Sequence, residues 1–524
     1  MNLNYGIKRL LSVLAAMSIA LCCLPLSAAA ADKWKTWGDI KYCLDGDTLT
    51  IAPKDGAETA AMPDAESYYD VPWYYSRKNI TFVVIEDGIT HIGDYAFYGF
   101  TDIWNIYDAE CPNVEGLRYH ILKYPKNLKS FGIGSFMNCS RLTTVISPDN
   151  LYSADGSGNC GEIPDSLFEG CSRLEIITIQ QQSRNKISYN QKYPFYLPDN
   201  ICRIGNFAFS GCSKLNVTNG SLKIPFSVKA IDNYAFEDCT TITNMHLIGS
   251  IERISPSAFN GCTSLSRIYI QLGTGQAAGH EYYYVPNNYN GSELYNKAQT
   301  KFIRLMPAYP ETEYTVLETV DEIGDYAFYS SVNLEKIIIS AGVKEIGSSV
   351  FGNCNSLLNI EVSAANQYYK SVDGVLYSKD GKTLIAYPGG RTEKSFKIPD
   401  GVTVIADGAL DCSSLTELYI PKSVTEMPLL SYNIKNIYYS GTESDLNNIK
   451  NSDLIFYMKT VNHNAKPNEK YDINCDDKIN VLDIIGIKKA ISAGETKTYQ
   501  SDINSDGLLN AEDAAALKKR LLNY

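Results

Sequence analysis

Histidine is scarce in this 524-residue chain: there are 5, at positions 91, 120, 246, 280 and 463, against 38 Tyr. They follow no common phase, so the text offers no histidine-built metal or acid–base centre. Catalytic motifs are absent as well: H-E-x-x-H, G-x-S-x-G and G-x-x-x-x-G-K-[ST] do not occur. Gly381-Lys382-Thr383 matches the tail of the last motif, but Leu376 stands where its first glycine belongs, and the triplet reads as a hairpin turn. A basic excess is missing too. With 47 Lys+Arg against 59 Asp+Glu the net charge is −12, which excludes the electrostatic footprint of a nucleic-acid binder. Past residue 30 there is no uncharged apolar run long enough to cross a bilayer. What the chain does have is 44% hydrophobic residues, too many for a disordered protein, and length for two or more domains.

Residues 1–30 read as an export address. Lys8 and Arg9 precede an uncharged stretch, residues 10–26, that closes on Ser27 and a run of alanines. A basic start, an apolar middle and small residues predict a signal peptide cleaved after Ala30, with an uncleaved anchor as the alternative. Leu21 before Cys22 is too bulky for a lipidation site. The mature protein is then expected outside the cell with no membrane span.

Half of the 14 cysteines obey one phrase. It runs Ser135-Phe136-x-x-Cys139-x-x-Leu142 and returns around Phe168 and Cys171, Phe209 and Cys212, Phe236 and Cys239, Phe259 and Cys262, and Phe351 and Cys354. Phe97 and Phe328 head copies with Phe100 and Ser331 at the cysteine place, and Leu410 heads a shortened copy with Cys412. Each Leu is followed by a β-rich run, such as residues 334–339 or 415–420, and many copies carry a Val-x-x-Ile element, as at Val343 and Ile346. The shortest Phe-to-Phe spacing is 23 residues, inside the range of leucine-rich arrays. One copy cannot bury its own apolar face, so copies must stack. The seven repeat cysteines then fall at one inward position and are expected as a column of core thiols. Equivalent side chains on stacked strands, ~4.8 Å apart, point parallel rather than at each other, which disfavours disulfides between copies. Cys43, Cys111, Cys160 and Cys202 lie outside the pattern, and their spacing assigns no pairing.

The phrase Ile92-Gly-Asp-Tyr-Ala-Phe97, continued by the Cys and Leu positions, resembles the BspA-like leucine-rich-repeat family of bacterial exported proteins. The resemblance runs from about Trp37 to Met458 and includes a hairpin insert after Tyr369. The departures are long inserts, 41 residues from Phe168 to Phe209 and 69 from Phe259 to Phe328. These are rich in tyrosine, at 189, 193, 196 and 282–289. Such rings serve either as recognition surface or as packing against the flank of the array.

The C-terminal end carries the sharpest chemistry. A polar stretch, residues 459–470, reads as a linker. Beyond it, two units repeat. Asp472, Asn474, Asp476, Lys478, Asn480 and Asp483 occupy positions 1, 3, 5, 7, 9 and 12 of a calcium loop. Asp502, Asn504, Asp506, Leu508, Asn510 and Asp513 do the same in the second. Oxygen side chains at alternate positions, with the position-7 carbonyl, suit a hard divalent cation. Position 6 is Gly507 in the second loop but Asp477 in the first. A positive φ there favours glycine, so the first site is expected to be weaker. Each loop leads into matching helical text.

With Asp at position 12 and no entering helix, the pair resembles a type I-like dockerin, a module that plugs into a cohesin on a scaffoldin. The resemblance implies two Ca2+ ions. It also implies cohesin contact through Val481, Leu482, Ala511 and Glu512, joined by Lys488, Lys489, Lys518 and Lys519. The expected architecture is α+β and multidomain: signal peptide 1–30, leucine-rich-repeat β-solenoid 31–458, linker 459–470 and an all-α dockerin with EF-hand-like loops over 471–524. The expected role is a secreted, non-catalytic, cellulosome-associated component in polysaccharide catabolism, whose repeats bind a protein or glycan. A cell-surface adhesin and a polysaccharide hydrolase with a cryptic site are the alternatives.

Overall fold

The computed structural model describes residues 33–102, 105–108, 121–125, 127–147, 151, 160–179, 181–183, 186–188, 195–215, 221–248, 251–271, 282–284, 291–296, 298–412, 414–428, 430, 433–450, 460–463, 484, 487–488, 491 and 510–522. The expected signal peptide lies outside them. No helix among the described residues is long and apolar enough to cross a membrane. The chain divides into two compact units, Met1–Tyr283 with Asn288–Gly291, and Tyr284–Asn287 with Ser292–Tyr524.

The first unit opens antiparallel, with Lys35–Trp37, Ile40–Asp45 and Thr48–Pro53 in succession, and then turns parallel. Phe82–Ile85, Asn105–Asp108, Ile121–Lys123, Thr144–Ser147 and Ile176–Ile179 extend that sheet strand by strand. A second ladder of shorter strands, Gly161–Ile163, Ile201–Ile204, Ala230–Ile231 and Arg253–Ile254, comes from the Val-x-x-Ile elements and their equivalents. Alternation within strands sends Val83, Ile85, Leu222, Met245 and Ile268 into the interior, where all are fully buried.

Between the ladders each copy makes a tight turn around its phenylalanine. Phe97, Phe136, Phe168, Phe209, Phe236 and Phe259 stack in succession, centroids 5.3–6.1 Å apart and planes within 22°. Trp73, buried in the entry segment, closes the column by stacking on Phe97 at 6.3 Å and donating its indole N–H to the Ala96 carbonyl at 2.7 Å. Two hydrogen bonds per copy fasten the stack. The Phe N–H donates forward to the next copy, as from Phe209 to Ala235 O at 2.8 Å, and the cysteine thiol donates back to the preceding Phe carbonyl. The thiol bonds of Cys139, Cys171, Cys212, Cys239 and Cys262 measure 2.9–3.2 Å. The expected thiol column is therefore present, and it links copies as well as filling space.

The turn places left-handed backbone two residues before each Phe, except at Phe259, and two residues after each. Tyr95, Ser166, Phe207 and Tyr234 hold the first position at φ 55–57°, and Asn138 and Asp238 the second at 62° and 55°. An aromatic residue at positive φ is a steric outlier. Stacking along the array offsets it, as where Phe207 lies 4.9 Å from Tyr234 at 13°.

The second unit repeats the plan. Glu313–Thr315, Lys336–Ile339 and Asn359–Val362 form one parallel ladder, and Lys301–Leu305, Glu322–Ile323 and Glu345–Ile346 another. Phe328 stacks on Phe351 at 5.7 Å, and Cys354 donates to Phe328 O at 2.9 Å. The insert after Tyr369 is the expected hairpin: Tyr369–Val372 and Val375–Ser378 pair antiparallel, and Thr383–Ala386 follows. Ser395–Lys397, Glu417–Ile420, Asn436–Tyr439 and Thr460–His463 then pair in parallel, the last lying in the stretch read from sequence as linker. Towards the C-terminus the structure turns helical, with Ala511–Leu522 the longest helix among the described residues.

Candidate functional site

The strand faces that point away from the core carry the exposed chemistry of the array. In the first unit Lys223, His246 and Tyr269 fall in register on adjacent strands, and the imidazole of His246 stacks on Tyr269 at 4.7 Å. Burial and the Lys223 charge hold the imidazole below its ordinary pKa. In the second unit Lys397, Tyr419 and Tyr438 form the corresponding row, with the two rings stacked at 4.5 Å and 12°. Period-two alternation already marks these positions in the text, yet sequence reasoning passed over them in favour of the tyrosine-rich inserts. Of those insert residues, Tyr196 donates to Asp199 at 2.8 Å, Tyr282–Tyr284 forms a strand, and Tyr189, Tyr193 and residues 285–289 lie outside the described residues.

Carboxylate clusters in the first unit are structural. Arg203 binds Glu162, Asp165 and Asp232 through its Nη1, Nη2 and Nε atoms at 3.1, 2.6 and 2.7 Å. Asp64, His91 and Ser130 stand in the order of a hydrolytic relay, with imidazole contacts of 2.9 and 2.7 Å. Ser130 and His91 are only 7% and 9% exposed on paired strands, so the hydroxyl is not presented to a substrate. A third pattern escaped the sequence reading. In four copies an Asp or Asn three residues before the Phe accepts the backbone N–H at the same place in the next copy: Asp94 from Ile133, Asp165 from Asn206, Asn206 from Asn233, and in the second unit Asp325 from Ser348.

At the C-terminal end, Ile484, Ile487, Ala514 and Leu517 pack into one apolar cluster, with Ile491 and Ala516 at its margin. The matching helical texts after the two loops therefore supply the two faces of one small core. Asn510 and Asp513 are the expected calcium ligands that fall among the described residues. Asn510 caps the helix: its Oδ1 accepts the Glu512 N–H at 2.7 Å, while its own N–H donates to Asp513 Oδ2 at 2.9 Å. The Asp513 side chain is fully enclosed, and burying a carboxylate requires compensating partners. An all-oxygen donor set closing on a buried carboxylate fits a hard cation. Asp472, Asn474, Asp476, Lys478, Asn480, Asp483, Asp502, Asn504, Asp506 and Leu508 lie outside the described residues, as do Val481, Leu482 and Lys489. Lys488, Ala511, Glu512, Lys518 and Lys519 are all exposed.

Comparison with known proteins agrees with this architecture. The BspA type leucine rich repeat region matches in six copies over residues 72–157, 117–196, 189–278, 311–372 and 390–468, and a dockerin type I domain matches residues 470–522. The protein is a repeat solenoid with a terminal dockerin module. The chain belongs to the BspA type leucine rich repeat family. Type I dockerin domains bind calcium and have cohesins as partners, and both modules point to an extracellular or cell-surface protein. A leucine rich cell surface protein of Faecalibacterium prausnitzii is similar at 24% identity and TM-score 0.47, covering 80% of this chain and 97% of its own. A leucine-rich repeat protein of Eubacterium ventriosum is similar at 18% identity and TM-score 0.39, over 75% and 86% of the two chains. A further one, from Bacteroides ovatus, is similar at 18% and 0.30, over 82% and 99%. No curated protein matches the chain.

Proposed function

We propose that this is a secreted, non-catalytic component of a cellulosome-type assembly, exported by residues 1–30 and mounted by residues 471–524. On this reading residues 31–458, with the added strand Thr460–His463, form the recognition domain, and the rest of residues 459–470 is the linker. Two calcium ions are held, the first by Asp472, Asn474, Asp476, the Lys478 carbonyl, Asn480 and Asp483. The second is held by Asp502, Asn504, Asp506, the Leu508 carbonyl, Asn510 and Asp513. Bound calcium supplies the charge that lets these oxygens converge. Asn510 and Asp513 tie the second loop to the start of the helix, which presents Ala511, Glu512, Lys518 and Lys519 outward. Val481, Leu482, Lys488 and Lys489 are their counterparts in the first calcium-loop repeat. The repeats bind a protein or glycan in a setting of polysaccharide breakdown.

The observation that carries the reading is the union of a repeat solenoid with a dockerin whose described cohesin-contact positions are exposed on a capped helix. Paired loop variants test it. Replacing Asp502 and Asp506 by Ala is expected to weaken cohesin binding more than replacing Asp472 and Asp476, because Gly507 makes the second loop the stronger site. Equal or reversed losses, measured by calorimetry, would sink the two-site assignment.

A further inference from the structure

The second unit contains a break in its own regularity, and the break makes a cleft. The short-strand ladder that runs through Lys301–Leu305, Glu322–Ile323 and Glu345–Ile346 ends there, and Glu345–Ile346 is the terminal strand of its sheet. The next sheet begins with the hairpin, Tyr369–Val372 and Val375–Ser378, followed by Thr383–Ala386 and Val404–Ile405. Backbone linkage between turns shifts accordingly. Phe328 donates to Val350 O in the following copy at 3.0 Å, but it is Tyr387, from the end of the insert, that donates to Ala409 O at 2.8 Å. The turn around Phe351 and the turn around Leu410 meet where Gly408 lies against Ser349, and beside that contact a space of about 390 Å3 remains.

The lining is amphipathic. Phe351, Ile385 and the half-buried ring of Tyr369 give it apolar surface, while Ser348, Thr383 and Asp407 bring polar groups. Asp407 stands three residues before Leu410, the place whose Asp or Asn elsewhere caps the next copy. Here that role is vacant. Among the described residues Asp407 makes no hydrogen bond or ion pair, and only a through-space attraction links it to Lys450. The Asp407 carboxylate, which caps no neighbouring copy among the described residues, lines the same space as the rings of Phe351 and Tyr369 and the hydroxyls of Ser348 and Thr383.

The geometry points to this cleft as a binding site for a neutral saccharide, entered by one or two sugar units. A pyranose has an apolar C–H face for Phe351, Tyr369 and Ile385, and paired hydroxyls that donate to one carboxylate. The size is within the range of small-ligand sites. The Asp407 carboxylate, which forms no ion pair among the described residues of this acidic protein, disfavours anionic sugars. This inference rests on the recognition reading above and deepens it.

The test uses the full calcium-loaded chain with cellobiose, maltose and lactose at millimolar concentration, followed by calorimetry and ligand-observed NMR. Two exposed positions allow mild variants: Asp407→Ala removes the acceptor and Ser348→Trp occludes the space. At least one disaccharide is expected to bind with one-to-one stoichiometry. Asp407→Ala should weaken it about tenfold or more, the loss of a charge-assisted hydrogen bond, and Ser348→Trp should abolish it. Thermal transitions and cohesin binding should stay unchanged in both. Saturable binding that persists in both variants would overturn the cleft while leaving recognition by the repeats intact. No binding of any of the three by the wild-type chain would overturn the saccharide assignment itself.

Discussion

Burial raises the repeat thiols far from their ordinary pKa, Cys139 and Cys354 to about 12 and Cys171 and Cys239 well up, because the thiolate has no water to solvate it. In the native protein these cysteines are expected to resist Ellman's reagent and to react only on denaturation; rapid native labelling of Cys239 would contradict the column. Cys239→Ala removes both volume and the bond to Phe209 O, and should cost about 1–2 kcal/mol in denaturant titrations. Asp94 behaves differently. Partial burial lifts its carboxyl to about 6, opposed by the Ile133 N–H and assisted by the neighbouring Asp64 charge. The native state holds that proton longer than the unfolded chain, so its contribution is full below the unfolded value of 3.8 and is lost as pH rises through 6. Asp94→Asn keeps the acceptor, as Asn206 does one step along another pair of copies. It should flatten the stability loss between pH 4 and pH 8 by about 1 kcal/mol after solvent screening. The inward place of each Cys and Phe is legible from the repeat phrase, since spacing alone sets which side chains meet. The Asp/Asn caps recur at a fixed offset from Phe in four copies, but a polar residue before an apolar turn reads as ordinary solvation until the next copy's amide is placed beside it.

At the scale of elements, stability comes from neighbour contacts, so damage should spread along the array. Phe236→Ala breaks two ring stacks at once, with Phe209 and Phe259. A loss of about 3–5 kcal/mol is expected, with hydrogen exchange rising first in the adjoining turns rather than uniformly. Cys160 and Cys202 form a disulfide, Cα atoms 5.8 Å apart, between Gly161–Ile163 and Ile201–Ile204. Alkylation of the unreduced, denatured chain should leave both unlabelled. The parallel side-chain argument that disfavours bridges between copies assumes strict register, and the pairing shifts between Gly161 and Glu162 at this point. No spacing rule announces a bulge. The hairpin after Tyr369 was legible from the family resemblance and from the turn at Gly381. The cleft it opens was not, because the cleft arises from a missing partner rather than from a motif.

For the whole molecule, the net charge of −12 divides into two uses. In the array acids serve as surface charge, caps or partners of Arg203, whereas at the C-terminus they recur at fixed spacing in the stretch that the dockerin match covers. The dockerin was legible because its text keeps a fixed spacing, whereas the exposed side chains of the repeats form no motif from which a ligand could be read. The central property is therefore attachment of the chain by its C-terminal module through calcium. The most direct measurement is calorimetric titration of the intact chain with type I cohesins, before and after EDTA, with circular dichroism of the same samples. Saturable one-to-one binding in calcium, abolished by EDTA while the β-sheet signal of the repeats is unchanged, is the predicted result. Binding at full affinity after complete calcium removal would contradict it.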